Sequence, residues 1–204
     1  MIESQLKRRG IRDERVLVAM NATPREEFVP IDARVLAYQD APVGIGYGQT
    51  ISQPYMTALM AQCLELKGDE KVLEVGAGCG YAAAILGALA REVITVEIVP
   101  ELVAKARDNL KRTGRDQNVR VIQGDGGHGY LPEAPYDGIS VAAAAPEVPS
   151  ALLEQLRDPG VLTLPVGSRD DQELRVIIKR DGRIHTRVAT LCRFVPLRGG
   201  EGWN

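Results

Sequence analysis

The segment Val72-Leu73-Glu74-Val75-Gly76-Ala77-Gly78-Cys79-Gly80-Tyr81 constrains the fold more than any other part of the chain. Val72 to Val75 reads as a short buried strand and Tyr81 to Leu89 as a helix of small and apolar residues. Glycines between a strand and a helix allow a tight turn and remove the Cβ atoms that keep a ligand away from bare backbone. Beyond the turn the two patterns alternate. Val93 to Val96 reads as a strand, Pro100 to Leu110 as a helix, and Val119 to Ile122 and Tyr136 to Ala142 as strands. Pro149 to Leu156 then reads as a helix and Val161 to Val166 as a strand. That order predicts a doubly wound α/β fold with a mostly parallel sheet and helices on both faces. Leu174 to Lys179 and Val188 to Val195, joined by the turn Asp181-Gly182, read as partly antiparallel strands at one edge.

The part before the turn predicts a helical extension. Asp13 to Met20 carries apolar residues at helical spacing, and Thr23-Pro24-Arg25-Glu26 has the form of a capping box. Pro42, Gly44, Gly46 and Gly48 mark Tyr38 to Thr50 as an ordered or hinged loop. A helix follows Ser52, with Pro54 in its first turn and an apolar stripe reaching about Leu66. With 204 residues the chain suits one domain, with 1–66 as extension and loop and 67–204 as the α/β core. Its formal net charge of -2 offers no basic excess for a nucleic-acid partner. The run Lys7-Arg8-Arg9 is read as a solvated helix face. No apolar run is long enough for a membrane span, and the N-terminus lacks a signal-peptide core. Three cysteines and two histidines match no metal pattern. The expectation is a cytoplasmic monomer with reduced thiols and no metal.

The acidic residues indicate which ligand the turn holds. Tyr81 stands where the dinucleotide fingerprint has Gly or Ala, which argues against a pyrophosphate cofactor. Glu74, just before the turn, would repel a pyrophosphate but suit the ammonium of an amino-acid moiety, such as that of S-adenosyl-L-methionine. Glu97 ends the next strand, about 20 residues beyond the first glycine, where a carboxylate accepts from ribose hydroxyls. Asp125, in Gly124-Asp125-Gly126, is placed to accept from an adenine amino group. Any one of these is an ordinary cap or loop residue; in register at the ends of consecutive strands they point to one crevice.

These features resemble class I S-adenosylmethionine methyltransferases, and further segments are similar to the protein-L-isoaspartate O-methyltransferases. They are Arg25-Glu26-Glu27-Phe28-Val29-Pro30, Ala37-Tyr38-Gln39-Asp40, Gly46-Tyr47-Gly48-Gln49-Thr50-Ile51-Ser52-Gln53-Pro54, Ala134-Pro135-Tyr136-Asp137 and Phe194-Val195-Pro196-Leu197. The resemblance covers nearly the whole chain, and the Thr50-Ile51-Ser52 loop is its most specific part. It implies that isoaspartyl-containing proteins and peptides are the substrates and that Ser52 is the active-site residue. It further implies that Gln49, Thr50 and Ile51 line the methionine end, beside Gly76, Gly78 and Gly80 of the turn. Glu97 takes the ribose, and Asp125 with Gly126 the adenine. Cys79 and Ile98 depart from the usual residues, and Arg198 occupies a variable position.

The implied reaction needs no general base, because an isoaspartyl α-carboxyl has a pKa of about 3.5 and is already ionised. Ser52 is therefore expected to hold and orient that carboxylate, although Ser-Gln-Pro before a helix is also what an N-cap looks like. Cys79 is read as a small turn residue, His128 as an exposed loop residue, His185 as an inert residue after the hairpin turn, and Trp203 as sealing the site or packing on the surface. The rivals are a small-molecule methyltransferase, which has no need of the Thr50-Ile51-Ser52 loop, an NAD-dependent oxidoreductase, and a non-catalytic cofactor-binding module.

Overall fold

In a computed structural model that describes residues 1–203, seven strands form one sheet in the order β5-β4-β3-β6-β7-β8-β9. The strands are β3 (Lys71–Val75), β4 (Glu92–Glu97), β5 (Val119–Gln123), β6 (Tyr136–Val141), β7 (Leu156–Gly167), β8 (Gln172–Arg180) and β9 (Arg183–Cys192). The first five pair in parallel; β8 and β9 complete the edge antiparallel. Helices α3 (Tyr81–Gly87), α4 (Pro100–Arg112) and α5 (Ser150–Gln155) form the crossovers, and the extension contributes α1 (Glu14–Ala22) and α2 (Pro54–Cys63). No helix of the described residues is long and apolar enough to cross a membrane.

Strand alternation divides the core. Val72 and Val93 face a cluster that includes Leu6, Phe28, Tyr81 and Leu102, so the extension and the α/β core share one apolar layer. Leu73, Val75, Ile94 and Val96 face the opposite layer, with Tyr136, Leu152 and Leu162. At about 25 cal/mol per Å² of apolar surface, such burial on both faces is the main source of stability.

Several local expectations are corrected. Tyr38 to Thr50 is not all loop: β1 (Val43–Gly46) and β2 (Gln49–Ile51) form a hairpin with a bulge between Gly44 and Gly46. Tyr47 and Gly48, at φ 56° and 70°, make its two-residue left-handed turn. Glycine-rich strands carry little β-propensity, which is why their pattern reads as loop. The hairpin lies over the glycine turn, where a Cβ on Gly78 would come within 3.2 Å of Ile45 Cδ1. Lys105 Nζ donates to the Ile45 carbonyl at 3.1 Å.

The capping box does not form. Pro24 precedes a short 3₁₀ turn, Arg25–Phe28, and the buried Thr23 hydroxyl has no partner among the described residues. The N-terminus is a short π turn, Ile2–Leu6, followed by a 3₁₀ turn, Lys7–Arg9, rather than one regular helix. Within that basic run Arg9 is not simply solvated, since it pairs with Asp40 and stacks 3.5 Å from the Tyr55 ring. Strand β7 begins at Leu156, five residues before the apolar run suggests. Asp158 holds it there by accepting from the Asp181 and Gly182 amides of the β8–β9 turn at 2.9 and 2.6 Å.

Candidate active site

At the carboxyl ends of β3, β4 and β6 lies a mostly apolar crevice of about 790 Å³ including its open mouth. Gly76 and Gly78 form one wall and Gln49, Thr50, Ile51 and Ser52 the facing one. The parallel register explains the convergence, because Val75 pairs with Val96 and with Val141, ending the three strands at one level.

Glu97 is the last residue of β4, and its buried carboxylate lines the crevice. One oxygen accepts from the Gly78 amide at 2.8 Å and the other from the Val99 amide at 2.9 Å. Each keeps a free lone pair, so the group is fixed while still able to accept from a ligand hydroxyl. Gly78 has φ 54° and Gly80 φ 87°. Gly80 does not line the crevice; a Cβ there would come within 3.2 Å of the Ala106 carbonyl, so the bare residue lets α3 approach α4. The next residue can therefore be bulky. The Tyr81 ring packs edge-on against Phe28 at 5.4 Å, filling space that the extension closes.

Glu74 is placed otherwise than expected. Because Glu74 pairs with Thr95, two residues before the level of Glu97, its side chain lies on the sheet face under α2 and α3 rather than past the strand end. It borders a small cavity behind the crevice with Thr57, Met60, Ile85 and Ser140. Thr95 donates to it at 2.5 Å. Burial, opposed by that hydrogen bond and reinforced by the Glu97 charge, pushes its carboxyl up to about 8. Glu74 thus borders the cavity behind the crevice rather than the crevice itself.

Asp125 follows β5. Its carboxylate accepts from the Gly127 amide at 2.9 Å and from the Gly200 amide at 2.9 Å, tying down the C-terminal segment, while Gly126 faces the crevice. A Cβ on Gly126 would lie 2.5 Å from Val75 Cγ1. Gly126→Ala is therefore expected to cost about 1–3 kcal/mol by overpacking, read as a lower urea midpoint with an unchanged slope.

Ser52 lines the crevice, the small cavity behind it and a third space, an open groove of about 1210 Å³. It is not the helix cap. Gln53 holds that position, and no side-chain cap bond is made. The groove also runs past Arg9, Tyr55, Met56, Leu191 and Phe194. Val195 to Arg198 closes one side of the crevice. It is fixed by the Ala144 amide donating to the Val195 carbonyl at 2.9 Å and the Leu197 amide to the Ala144 carbonyl at 2.7 Å. The small residues Ala142 to Ala145 were the available signal, since they leave room for a chain to cross the end of β6.

Of the remaining candidates only Cys79 borders the crevice. Cys79 is fully buried, with its thiol pushed up to about 11 by that burial, so no thiolate forms. His128 is exposed and 3.5 Å from Asp125, and His185 lies on the exposed β9. Trp203 packs under Arg169 at 5.6 Å, with its amide on the Leu197 carbonyl at 2.9 Å.

The sequence matches the family model described as Protein-L-isoaspartate(D-aspartate) O-methyltransferase over residues 1–202. A protein-L-isoaspartate O-methyltransferase of Methanopyrus kandleri is 53% identical over 197 residues, covering 95% of this chain and 87% of the relative. One from Methanoculleus marisnigri is 49% identical over 203 residues, covering 100% and 92%. A solved structure from Plasmodium falciparum, described as the same enzyme in complex with S-adenosyl-L-homocysteine, superposes with a TM-score of 0.80. It is 30% identical, covering 97% of this chain and 96% of that one. Fold, crevice and sequence agree: the chain belongs to the protein-L-isoaspartate(D-aspartate) O-methyltransferase family.

Proposed function

We propose that Ser52 holds the acceptor carboxylate where the crevice meets the groove, and that Glu97, Gly76 and Gly78 hold the methyl donor in the crevice. The reaction is that of the family: methyl transfer from S-adenosyl-L-methionine to the free α-carboxylate of L-isoaspartyl residues in damaged proteins and peptides. The observation that carries the assignment is that Thr50, Ser52, Ala142 and Val195 border both spaces, so two ligands can meet there. The residues present fit the donor: a fixed carboxylate with free lone pairs for a ribose, a bare glycine turn, and apolar walls.

When bound, S-adenosyl-L-methionine supplies a methyl group already activated by its sulfonium. What the chain contributes is orientation and water exclusion, worth about 7–11 kcal/mol when reacting atoms are held close. The Ser52 hydroxyl donates to the carboxylate without the stronger pull of an ion pair, leaving it nucleophilic. No residue has to remove a proton. The open groove suits an extended peptide better than a small metabolite. In the same reading residues 1–204 act as one domain, the extension (1–66) supplying the loop and the rest (67–204) the donor crevice. Both spaces are complete within one chain, which supports a monomer. The three free cysteines accord with the reducing cytoplasm.

The test pairs two peptides that differ only in an L-isoaspartyl or L-aspartyl linkage, with labelled donor. Base-labile label is expected in the isoaspartyl peptide alone. Ser52→Ala should lower turnover about 10- to 100-fold, the value of one hydrogen bond to a charged group, with donor affinity within about threefold. Equal labelling of both peptides, or an unchanged rate in the variant, would remove the corresponding half of the assignment.

A further inference from the structure

Arg25 is fully buried, yet no salt bridge to it is formed among the described residues. Taking a guanidinium out of water without a counter-charge is costly, and an apolar residue of similar volume would fill a core at least as well. The cation instead gives two of its nitrogens to backbone, while its buried Nη1 has no partner among the described residues. Nε donates to the Ala37 carbonyl and Nη2 to the Ser52 carbonyl, each at 2.7 Å. Its guanidinium sits 4.9 Å from the centre of the Tyr81 ring, at the start of the helix that follows the glycine turn.

The two carbonyls bracket the hairpin. Ala37 precedes β1 and Ser52 follows β2, so one side chain pins both legs and anchors them to the donor-binding turn. The pull on Ser52 has a direction. In a trans peptide the carbonyl and the following N–H point opposite ways, so drawing the Ser52 carbonyl inward turns the Gln53 N–H outward. Ser52 and Gln53 both border the groove.

We infer that Arg25 is a positioning residue for methyl transfer, clamping the hairpin's legs so that the Ser52 hydroxyl and the Gln53 N–H face the acceptor carboxylate. The inference rests on the assignment of Ser52 to that carboxylate. An arginine is required because its rigid fork reaches two carbonyls at once, whereas a lysine head has a single nitrogen.

The experiment compares Arg25→Lys, Arg25→Gln and Ser52→Ala. The readouts are kcat and KM for the isoaspartyl peptide, the Kd of S-adenosyl-L-homocysteine by calorimetry, and the thermal midpoint. Both Arg25 variants are expected to lose about 10- to 100-fold in kcat, as a misplacement of about 1 Å does. KM and Kd should stay within about threefold, and the lysine should not rescue turnover. A kcat within about threefold of the parent, a Kd that rises in step with the loss of kcat, full rescue by lysine, or failure of both variants to fold would overturn the inference. If Ser52→Ala alone turns over normally, the underlying assignment has failed instead. If it is slow while the Arg25 variants are not, only the clamp is refuted.

Discussion

Replacing Glu97 with alanine is expected to weaken the binding of S-adenosyl-L-homocysteine by about 100- to 1000-fold. The carboxylate does two things at once. It receives the Gly78 and Val99 amides on separate oxygens, fixing the glycine turn to the start of α4, and it presents its remaining lone pairs to the crevice. Alanine leaves both donors unpaired in a buried site, at about 1–3 kcal/mol each, and frees the turn whose backbone forms the wall. It also removes a negative charge from the N-terminal end of α4, where the helix dipole favours one. Glutamine is isosteric but sets its amide group against one of the two N–H donors, so its loss should fall in between. Calorimetry on all three proteins, with urea unfolding as a check, decides the matter. An alanine variant that stays folded and binds within threefold of the parent would mean that Glu97 is only a structural brace.

The second large effect lies behind the crevice and is read in stability rather than binding. Glu74 keeps its proton to about pH 8 in the folded protein, against an ordinary value of 4.5. Below the ordinary value both states are protonated and Glu74 adds no pH dependence. Between the two values the unfolded chain has lost its proton and the folded one has not, so unfolding releases a proton and stability falls as pH rises. Above about 8 both states are ionised and the loss is complete, on the order of 5 kcal/mol. Glu74→Gln retains a donor and an acceptor for Thr95 without an ionisable group. It should match the parent near the acid end and be the more stable protein at alkaline pH. The measurement is the difference in unfolding free energy between the two proteins at a series of pH values. A difference that does not change with pH would show that Glu74 is ionised, or equally solvated, in both states.

These two acids also show how far the sequence could be read. Glu97 was legible because it stands at the end of an apolar run, and that run is the strand to within a residue at each end. Glu74 looked equivalent, yet it pairs with Thr95, two residues before the level of Glu97, so on the same sheet face it sits deeper in the core, behind the crevice. The order of the strands was legible because strand and helix periods alternate along the second half of the chain, but β7 and β9 each begin five residues before the stretches read for them, and β9 ends at Cys192 rather than Val195. The hairpin was not, since Gly44, Gly46 and Gly48 suppress the β signal that turn and pairing later supply. Nor was Thr23 as a cap that fails, or Ser52 as a residue just outside a cap, because both depend on where the backbone turns. Arg25 carries no signal of burial. A charged residue in a polar segment reads as surface until the carbonyls of Ala37 and Ser52, 12 and 27 residues away, are found on its donors.

The hairpin that lies across the glycine turn has a bearing on time. Ile45 rests over Gly78, and the only hydrogen bond described between β1 and α4 is the one Lys105 makes to the Ile45 carbonyl. With the wall beneath it already tied by Glu97, loosening this lightly held segment is expected to change how fast a ligand enters and leaves more than how tightly it binds. Loosening Ile45 or Lys105 would quicken exchange in both directions and leave the equilibrium nearly where it was, so the pace of repeated turnovers can be adjusted without rebuilding the site.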